Sequence, residues 1–330
     1  MKQERTALWS PTSSRGGRYE AIFWLAAALL AGVVLAAYAP RFPWYGHYRD
    51  VEAFWPELTH RPFVYRVLLP LLAEAAGRIV PGEPELFFNA ALYLSLVGFA
   101  AALRRLAHLI WQPSRYLDYV ILAAIPLVIP LSVYHQHLYD LTTLCLFTWG
   151  IVYIAQQAWT PFLVVYAVAC FNKETTLFLT FVFLAFHHRE LGQRAYQRLL
   201  LMQLSIYMLI RATLMVLFRD RPGGVVEYHL LDHLTSYTSE PIRTSAYLAG
   251  ILIVGALVAY RFRSKPLVLR KALLAVLPCM VVLFVLFGFP YELRVFYEVY
   301  GLIVLLCIPP GSFQLQGAHA KRANPLDQAV

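Results

Sequence analysis

The sequence predicts an all-α protein that crosses a membrane many times. Of its 330 residues, 59% are hydrophobic and only 14% are charged, a composition too apolar for a soluble protein with one or two cores. Apolar runs of membrane-spanning length recur along the chain. The net charge of +9 is distributed as membrane topology requires, which argues against a nucleic-acid-binding protein.

About ten apolar runs are predicted to be transmembrane helices of one polytopic bundle. They are residues 21–38, 85–103, 117–134, 139–156, 160–172, 174–187, 199–218, 245–260, 272–289 and 298–309. Only a short polar tip separates the fifth run from the sixth, which predicts either a tight hairpin or a re-entrant pair that buries the tip. No internal repeat is evident, so residues 21–309 are expected to form a single membrane domain.

Three further segments flank or interrupt the predicted spans. The stretch 64–80 is apolar but contains three charged residues, which predicts an amphipathic helix lying at the membrane interface after the first span. Residues 1–20 form a basic tail, and the apolar run after it lacks an Ala-x-Ala-like cleavage site, so we expect it to be retained. Residues 310–330 lack an apolar face and are predicted to be a disordered tail.

The charge distribution predicts which side of the membrane each connection faces. With the N-terminus inside, the inner segments hold 17 of the 28 lysines and arginines but only 5 of the 19 acidic residues. This asymmetry favours a cytoplasmic location for both termini. Every unusual polar cluster then falls on the extracytoplasmic side, and we expect the functional site there.

Signals for a metal or disulfide framework are weak. The four cysteines fall inside apolar runs, which predicts packing roles for Cys145, Cys170, Cys279 and Cys307. A His-x-His pair, His135 and His137, is followed by Asp140 and has ligand types suited to a transition metal. Because no further Cys or His accompanies it, a hydrogen-bonded polar cap is favoured, with Asp140 as the N-cap of a helix.

The first outer loop carries two carboxylates one residue apart, Asp50 and Glu52, beside several aromatic residues. Such a pair can act as a general base with a helper, or can hold a divalent cation such as Mg or Mn through hard oxygen ligands. A solvated acidic loop is the alternative explanation. We take Asp50 and Glu52 as the candidate catalytic residues and as the candidate ligands if a metal is used.

The remaining candidates are charged or aromatic residues at the outer lip of the membrane, where cations can hold a phosphate. They are Arg61, Tyr65, Arg66, Tyr139, Asp140, Lys173, Glu174, Arg211, Glu292 and Arg294. Each also has a structural explanation: interfacial anchoring after the first span, a mutual ion pair of Lys173 with Glu174, snorkelling of Arg211, or a salt bridge within the last outer loop. The longer outer loop, residues 219–243, is a candidate lid over the Asp50 region.

The arrangement of these motifs resembles that of the GT-C type of integral-membrane glycosyltransferase. An acidic motif follows helix one, an interfacial helix comes next, and charged loops lie on the same face. The strings at 61–70 (RPFVYRVLLP), 139–140 (YD), 172–175 (NKET) and 292–294 (ELR) are similar to those of bacterial membrane proteins linked to cell-surface glycopolymer formation. The resemblance covers roughly residues 20 to 310, although many GT-C enzymes have larger outer loops or a soluble C-terminal domain that this chain lacks.

The resemblance implies a specific activity. The donor would be a polyprenyl-phosphate-linked sugar, and the acceptor a glycan or glycolipid at the outer face of the bacterial cytoplasmic membrane. Asp50 matches the acidic position of the first loop, as base on the acceptor hydroxyl or as a metal ligand. Two other classes remain open: a transporter or flippase for a lipid-linked glycan, and a noncatalytic component of glycopolymer assembly.

Overall fold

The computed structural model describes residues 14–38, 61–80, 82, 84–132, 137–187, 191–224 and 228–315. Within these ranges the protein is helical, with twelve α-helices and no β-strand. The predicted catalytic residues Asp50 and Glu52 lie outside the described residues, as does His135.

The helices follow one another with short connections. They are α1 (Ser14–Tyr38), α2 (Leu68–Ile79), α3 (Pro84–Ile110), α4 (Arg115–Ala124), α5 (Asp140–Gln156), α6 (Trp159–Asn172), α7 (Phe178–His187), α8 (Gln193–Leu217), α9 (Leu230–Ser239), α10 (Pro241–Ala259), α11 (Leu267–Phe287) and α12 (Tyr297–Leu306). Short 3₁₀ segments extend several of them, at Phe63–Tyr65, Pro126–Ser132, Glu174–Leu177, Phe262–Ser264 and Leu293–Phe296.

Six helical segments of the described chain are long and apolar enough to cross a membrane. They are Gly17–Tyr38, Leu86–Ile110, Arg115–Ser132, Gln193–Leu217, Pro241–Ala259 and Leu267–Phe287. The predicted number of about ten spans is therefore not confirmed. The other four predicted spans correspond to α5, α6, α7 and α12, which are only 17, 14, 10 and 10 residues long. At 1.5 Å per residue these helices are shorter than a hydrocarbon core of about 30 Å.

Helix α5 lies at the centre of the bundle and packs against α3, α6, α7 and α12. Small residues permit this close packing. A Cβ atom on Gly150 of α5 would lie 2.6 Å from Cδ1 of Leu179, and one on Gly98 of α3 would lie 2.8 Å from Sγ of Cys145. Glycine at such contacts lets helix backbones approach one another, as it commonly does in membrane bundles. The four cysteines are free, in agreement with their predicted packing role.

Buried polar contacts collect at the two opposite ends of the bundle. At one end, which we call the Asp140 end, the Tyr38 hydroxyl donates to the backbone carbonyl of His137 over 3.0 Å. At the other, the Asp118 end, Arg104 donates to the Asp118 carboxylate over 2.9 Å and also binds Glu20. The charge tally assigned these two groups of residues to opposite sides of the membrane; the orientation itself remains a prediction.

Two helices are peripheral. Helix α10 has no fully buried residue along its length, so most of its apolar surface is left uncovered by the described chain. Helix α2 occupies most of the stretch predicted to be amphipathic, and it buries Leu69 and Ala73 while Glu74 and Arg78 form an exposed pair. Its 12 residues are too few to span a bilayer. A helix does form there as expected, and its interfacial location remains a prediction.

Candidate functional site

A cavity of about 350 Å³ lies at the Asp140 end. Its walls come from the 3₁₀ turn before α2, from Tyr139 before α5, from the break after α6, from the C-terminal half of α8, and from the C-terminal half of α11 with the connection that follows it. The volume is near the lower end of the range for small-molecule sites, roughly 300–1,000 Å³. The chain thus folds so that five segments distant in sequence meet around one concave surface.

One wall of the cavity is charged. Its charged lining residues, within the described chain, are Arg66, Lys173, Glu174, Arg211, Glu292 and Arg294. Four cations and two carboxylates therefore line the wall, an excess of two positive charges. Two further carboxylates, Asp140 and Glu298, lie behind this wall with fully buried side chains. Counted with these two carboxylates, the cluster is electrically neutral. An anionic ligand would nevertheless meet the cations first at Lys173 and Arg294, because the buried carboxylates lie behind them.

Two arginines share the carboxylate of Glu174. Arg66 donates from Nη2 to Oε1 over 2.6 Å and from Nε to Oε2 over 3.3 Å. Arg211 approaches Oε2 from the other side at 3.9 Å. The side chain of Glu174 is 34% exposed, whereas those of Arg66 and Arg211 are 8% and 12% exposed. Arg211 lines the cavity, so the alternative explanation of snorkelling to the interface is not needed to account for its position.

Aromatic rings hold both guanidinium groups in place. Arg66 stacks on the Tyr139 ring, with its Cζ 4.2 Å from the ring centroid, and also donates to the Tyr139 hydroxyl. Phe63 contacts the same guanidinium at 5.1 Å, and Tyr65 contacts that of Arg211 at 5.4 Å. The 3₁₀ turn that carries Tyr65 packs against α8, which brings the two arginines together. Stacking of this kind fixes the orientation of a guanidinium without neutralising it.

Lys173 and Glu174 are neighbours in sequence but pair with different partners. The backbone at Lys173 is extended between α6 and the following 3₁₀ turn, so successive side chains project in different directions. Lys173 Nζ lies 2.8 Å from Oε1 of Glu298, which also accepts from the Thr175 hydroxyl. Both residues line the cavity, and the mutual ion pair that their adjacency suggested is replaced by two pairs to other elements.

Arg294 links the connection between α11 and α12 to α5. Its Nη1 donates to both carboxylate oxygens of Asp140, at 3.1 and 3.2 Å, and its Nη2 binds Glu292. Although burial opposes the charged form, these two carboxylates raise the pKa of Arg294 above its ordinary value. Asp140 also accepts from the backbone N–H of His137 over 3.0 Å. Helix α5 begins at Asp140, so this residue lies in the first helical turn and not at the N-cap as predicted.

A second part of the cavity lining, contributed by α8 and α11, is apolar. Its residues are Met215 on α8 and Met280, Leu283, Phe284 and Phe287 on α11. Helices α8 and α11 do not pack closely on each other, and only a small part of α8 is buried. The cavity therefore offers a charged surface and a hydrocarbon-like surface side by side, which suits an amphiphilic ligand.

The predicted candidates differ in how they relate to the cavity. Eight of them line it: Tyr65, Arg66, Tyr139, Lys173, Glu174, Arg211, Glu292 and Arg294. Asp140 supports Arg294 from behind the wall. Arg61 is not among the lining residues; its backbone N–H donates to the carbonyl of Pro222 over 2.8 Å, so the start of the predicted lid loop packs against it.

One residue of the charged cluster, Glu298, was not among the candidates taken from the sequence. A carboxylate at the start of an apolar run is itself a signal for a buried polar contact, and this signal could have identified Glu298. The sequence also left open a transition-metal site near His137. Within the described residues no group of three or more His, Cys, Asp or Glu side chains is arranged to hold a metal ion. His137 instead stacks on Tyr139 at 5.2 Å.

Comparisons of the chain with protein-family models, with curated proteins and with solved structures found no match. Any function must therefore be inferred from the residues of the cavity.

Proposed function

We propose that the protein is a membrane glycosyltransferase-like protein that transfers a sugar from a polyprenyl-phosphate-linked donor to a glycan or glycolipid acceptor. The observation that carries the proposal is the mixed lining of the cavity, in which four cations and two carboxylates occur together with apolar side chains of α8 and α11. A lipid-linked sugar has the matching chemistry, since its phosphate is anionic and its polyprenyl chain is apolar.

The cations have a defined role in such a reaction. When the bond between sugar and phosphate breaks, negative charge develops on the departing lipid phosphate. Guanidinium groups stabilise that charge best when they are already oriented and shielded from water. Arg66 and Arg211 meet both conditions, because each is nearly buried and stacked on an aromatic ring.

The base and the metal belong to the same proposal. Asp50 acts as base on the acceptor hydroxyl, with Glu52 as its helper, or the two hold a divalent cation. The carboxylates of the described cavity are poor alternatives for either task. Glu174, Glu292 and Glu298 are each already paired with a cation of the wall, so none of them offers an unpaired carboxylate to an acceptor hydroxyl.

The topology is also part of the proposal. It comprises about ten spans in a GT-C-like bundle, both termini in the cytoplasm of a bacterium, and the Asp140 end facing the extracytoplasmic space. A transporter or flippase for a lipid-linked glycan is the second candidate. It needs polar residues through both halves of the membrane, whereas most of the buried charged residues of the described chain lie around Asp140, with Asp118 and Lys265 apart from them. A noncatalytic assembly component is the third.

The test is surface glycopolymer composition in a deletion strain complemented with variants. Asp50→Asn and Arg66→Gln should be present at normal membrane level on a blot yet fail to restore a specific sugar. Glu52→Gln shows whether the helper is essential. Asp220→Asn is the matched control, since its side chain is 89% exposed at the same end, and it should restore the polymer.

The outcomes separate the three classes. Full restoration by both Asp50→Asn and Glu52→Gln would rule out catalysis at the first loop. If Arg66→Gln then still fails, and lipid-linked glycan accumulates, transport becomes the better explanation. Restoration by all the variants would favour an assembly component.

A further inference from the structure

We propose that the carboxylate of Glu174 is a displaceable occupant of a phosphate subsite formed by Arg66 and Arg211. In the structure this carboxylate lies between the two guanidinium groups, in the position where a ligand phosphate would be bound. Binding of a lipid phosphate requires Glu174 to move out. The inference rests on the proposed function, because it assigns the donor phosphate to this part of the cavity.

Exposure distinguishes Glu174 from the other carboxylates of the cluster. Its side chain is 34% exposed, whereas those of Glu298 and Asp140 are fully buried and that of Glu292 is 5% exposed. Asp140 and Glu298 hold Arg294 and Lys173 from behind the wall, and Glu292 lines the cavity beside Arg294. Glu174 instead contacts its arginines from the cavity side, so rotation of its side chain alone would expose the pair to a ligand.

The two arginines do not depend on Glu174 for their positions. Arg66 remains stacked on Tyr139 and Phe63 and bonded to the Tyr139 hydroxyl. Arg211 remains against the Tyr65 ring and lies 3.5 Å from the backbone carbonyl of the same residue. After Glu174 leaves, two oriented guanidinium groups are left without a carboxylate, an arrangement that matches the bidentate geometry of phosphate.

The exchange is balanced in charge. A phosphodiester carries one negative charge, as the carboxylate does, so the donor replaces Glu174 without a net change in the subsite. The departing lipid phosphate is a monoester with a second, partial negative charge and is held more strongly. Return of Glu174 to the arginines then competes with this product and assists its release.

The experiment is calorimetric titration of the purified full-length protein in neutral detergent with dodecyl phosphate, inorganic phosphate and dodecanol. Glu174→Gln should bind dodecyl phosphate roughly tenfold tighter than wild type or better, because the competing charge is gone. Glu174→Asp keeps the charge on a shorter side chain that cannot reach both arginines, and it should give an intermediate gain. Arg66→Gln should weaken binding.

Glu74→Gln is the matched control, because Glu74 also pairs with an arginine at 2.6 Å but on an exposed helix surface. It should bind like wild type. If Glu174→Gln gains as much affinity for inorganic phosphate as for dodecyl phosphate, the ligand is a free anion. If the gain in affinity is confined to dodecyl phosphate, the ligand is a lipid headgroup. The affinity for dodecanol, which carries no charge, should be the same in wild type and in all of these variants.

Two results overturn the inference in different ways. If binding depends on Arg66 but is unchanged or weaker in Glu174→Gln and Glu174→Asp, Glu174 is a fixed part of the wall, and the proposed function stands. If neither phosphate compound binds wild type or any variant, the displacement and the proposed function both fail.

Discussion

The ion pair of Lys173 with Glu298 allows a quantitative test of how the cavity wall is built. Its nitrogen and oxygen are 2.8 Å apart, but the two side chains are buried to different degrees. Lys173 is 8% exposed and lines the cavity, whereas Glu298 is fully buried behind it. Removing the lysine and removing the glutamate should therefore have unequal costs.

Lys173→Met leaves a carboxylate in the interior with no cation. Among the described residues, only the Thr175 hydroxyl still donates to Oε1 of Glu298, and Oε2 has no hydrogen-bond partner even in the wild type. Breaking a buried pair in this way costs about 3–5 kcal/mol. Glu298→Gln leaves an ammonium that cavity water can solvate, so its cost is the lost charged hydrogen bond, roughly 1.5–3 kcal/mol.

The assay is thermal unfolding of the purified protein in detergent, followed by tryptophan fluorescence. At about 2 °C per kcal/mol, Lys173→Met should lower Tm by roughly 6–10 °C and Glu298→Gln by roughly 3–6 °C. The double variant should recover part of the loss seen in Lys173→Met, because neither charge remains buried. Glu74→Gln, on an exposed pair, should leave Tm nearly unchanged.

The reasoning fails if Glu298→Gln is as damaging as Lys173→Met, or if the double variant is less stable than either single one. Either result would mean that the pair is not the asymmetric contact that the burial indicates.

Three further predictions concern the scaffold and its orientation. Lys265 donates from its ammonium group to three backbone carbonyls at the ends of α10 and α12. Lys265→Met should therefore lower the free energy of unfolding by roughly 1–3 kcal/mol in a thermal unfolding assay. Arg263→Gln is the control, because Arg263 is exposed, and it should change stability little. Gly150→Ala drives a methyl group into the leucine of α7 that already contacts it and should cost roughly 1–3 kcal/mol; Gly32→Ala, with nothing within 4 Å, should be neutral or slightly stabilising. In a cysteine-free background, a membrane-impermeant maleimide should label Asp220→Cys in intact cells and Arg263→Cys only after permeabilisation, and the reverse pattern would refute the predicted orientation.

Helix positions could be predicted from the sequence, but several helix starts could not. The run predicted at 199–218 is α8, which begins at Gln193, and that predicted at 245–260 is α10, which begins at Pro241. In each case the helix extends into polar residues before the apolar run. Hydropathy indicates which part of a segment lies in an apolar environment, and it does not indicate where the helix begins. A helix can continue into water as long as its backbone hydrogen bonds are satisfied.

The residue types of the cavity were predictable, whereas their pairing was not. Charged residues at the ends of apolar runs are costly unless they face partners or a cavity, and this rule alone selects Arg66, Lys173, Glu174 and Arg211. Arg66 and Glu174 are 108 residues apart, so only the tertiary fold brings them together. Adjacency suggested the wrong partner for Glu174, because the extended backbone at Lys173 separates the two side chains.

Stability does not account for the composition of this cluster. Four cations and four carboxylates are removed from most of their water, and replacing such pairs with apolar residues of similar volume is often neutral or stabilising. The pairing is also incomplete: Nε of Arg294 and Oε2 of Glu298 are buried without a hydrogen-bond partner in the part of the chain that the structure describes. An anionic ligand explains both the excess of cations on the cavity wall and the exposed carboxylate between two of them. That explanation makes Arg66 and Arg211 more important for ligand affinity than for folding, which the titration and the unfolding measurements can compare in the same variants.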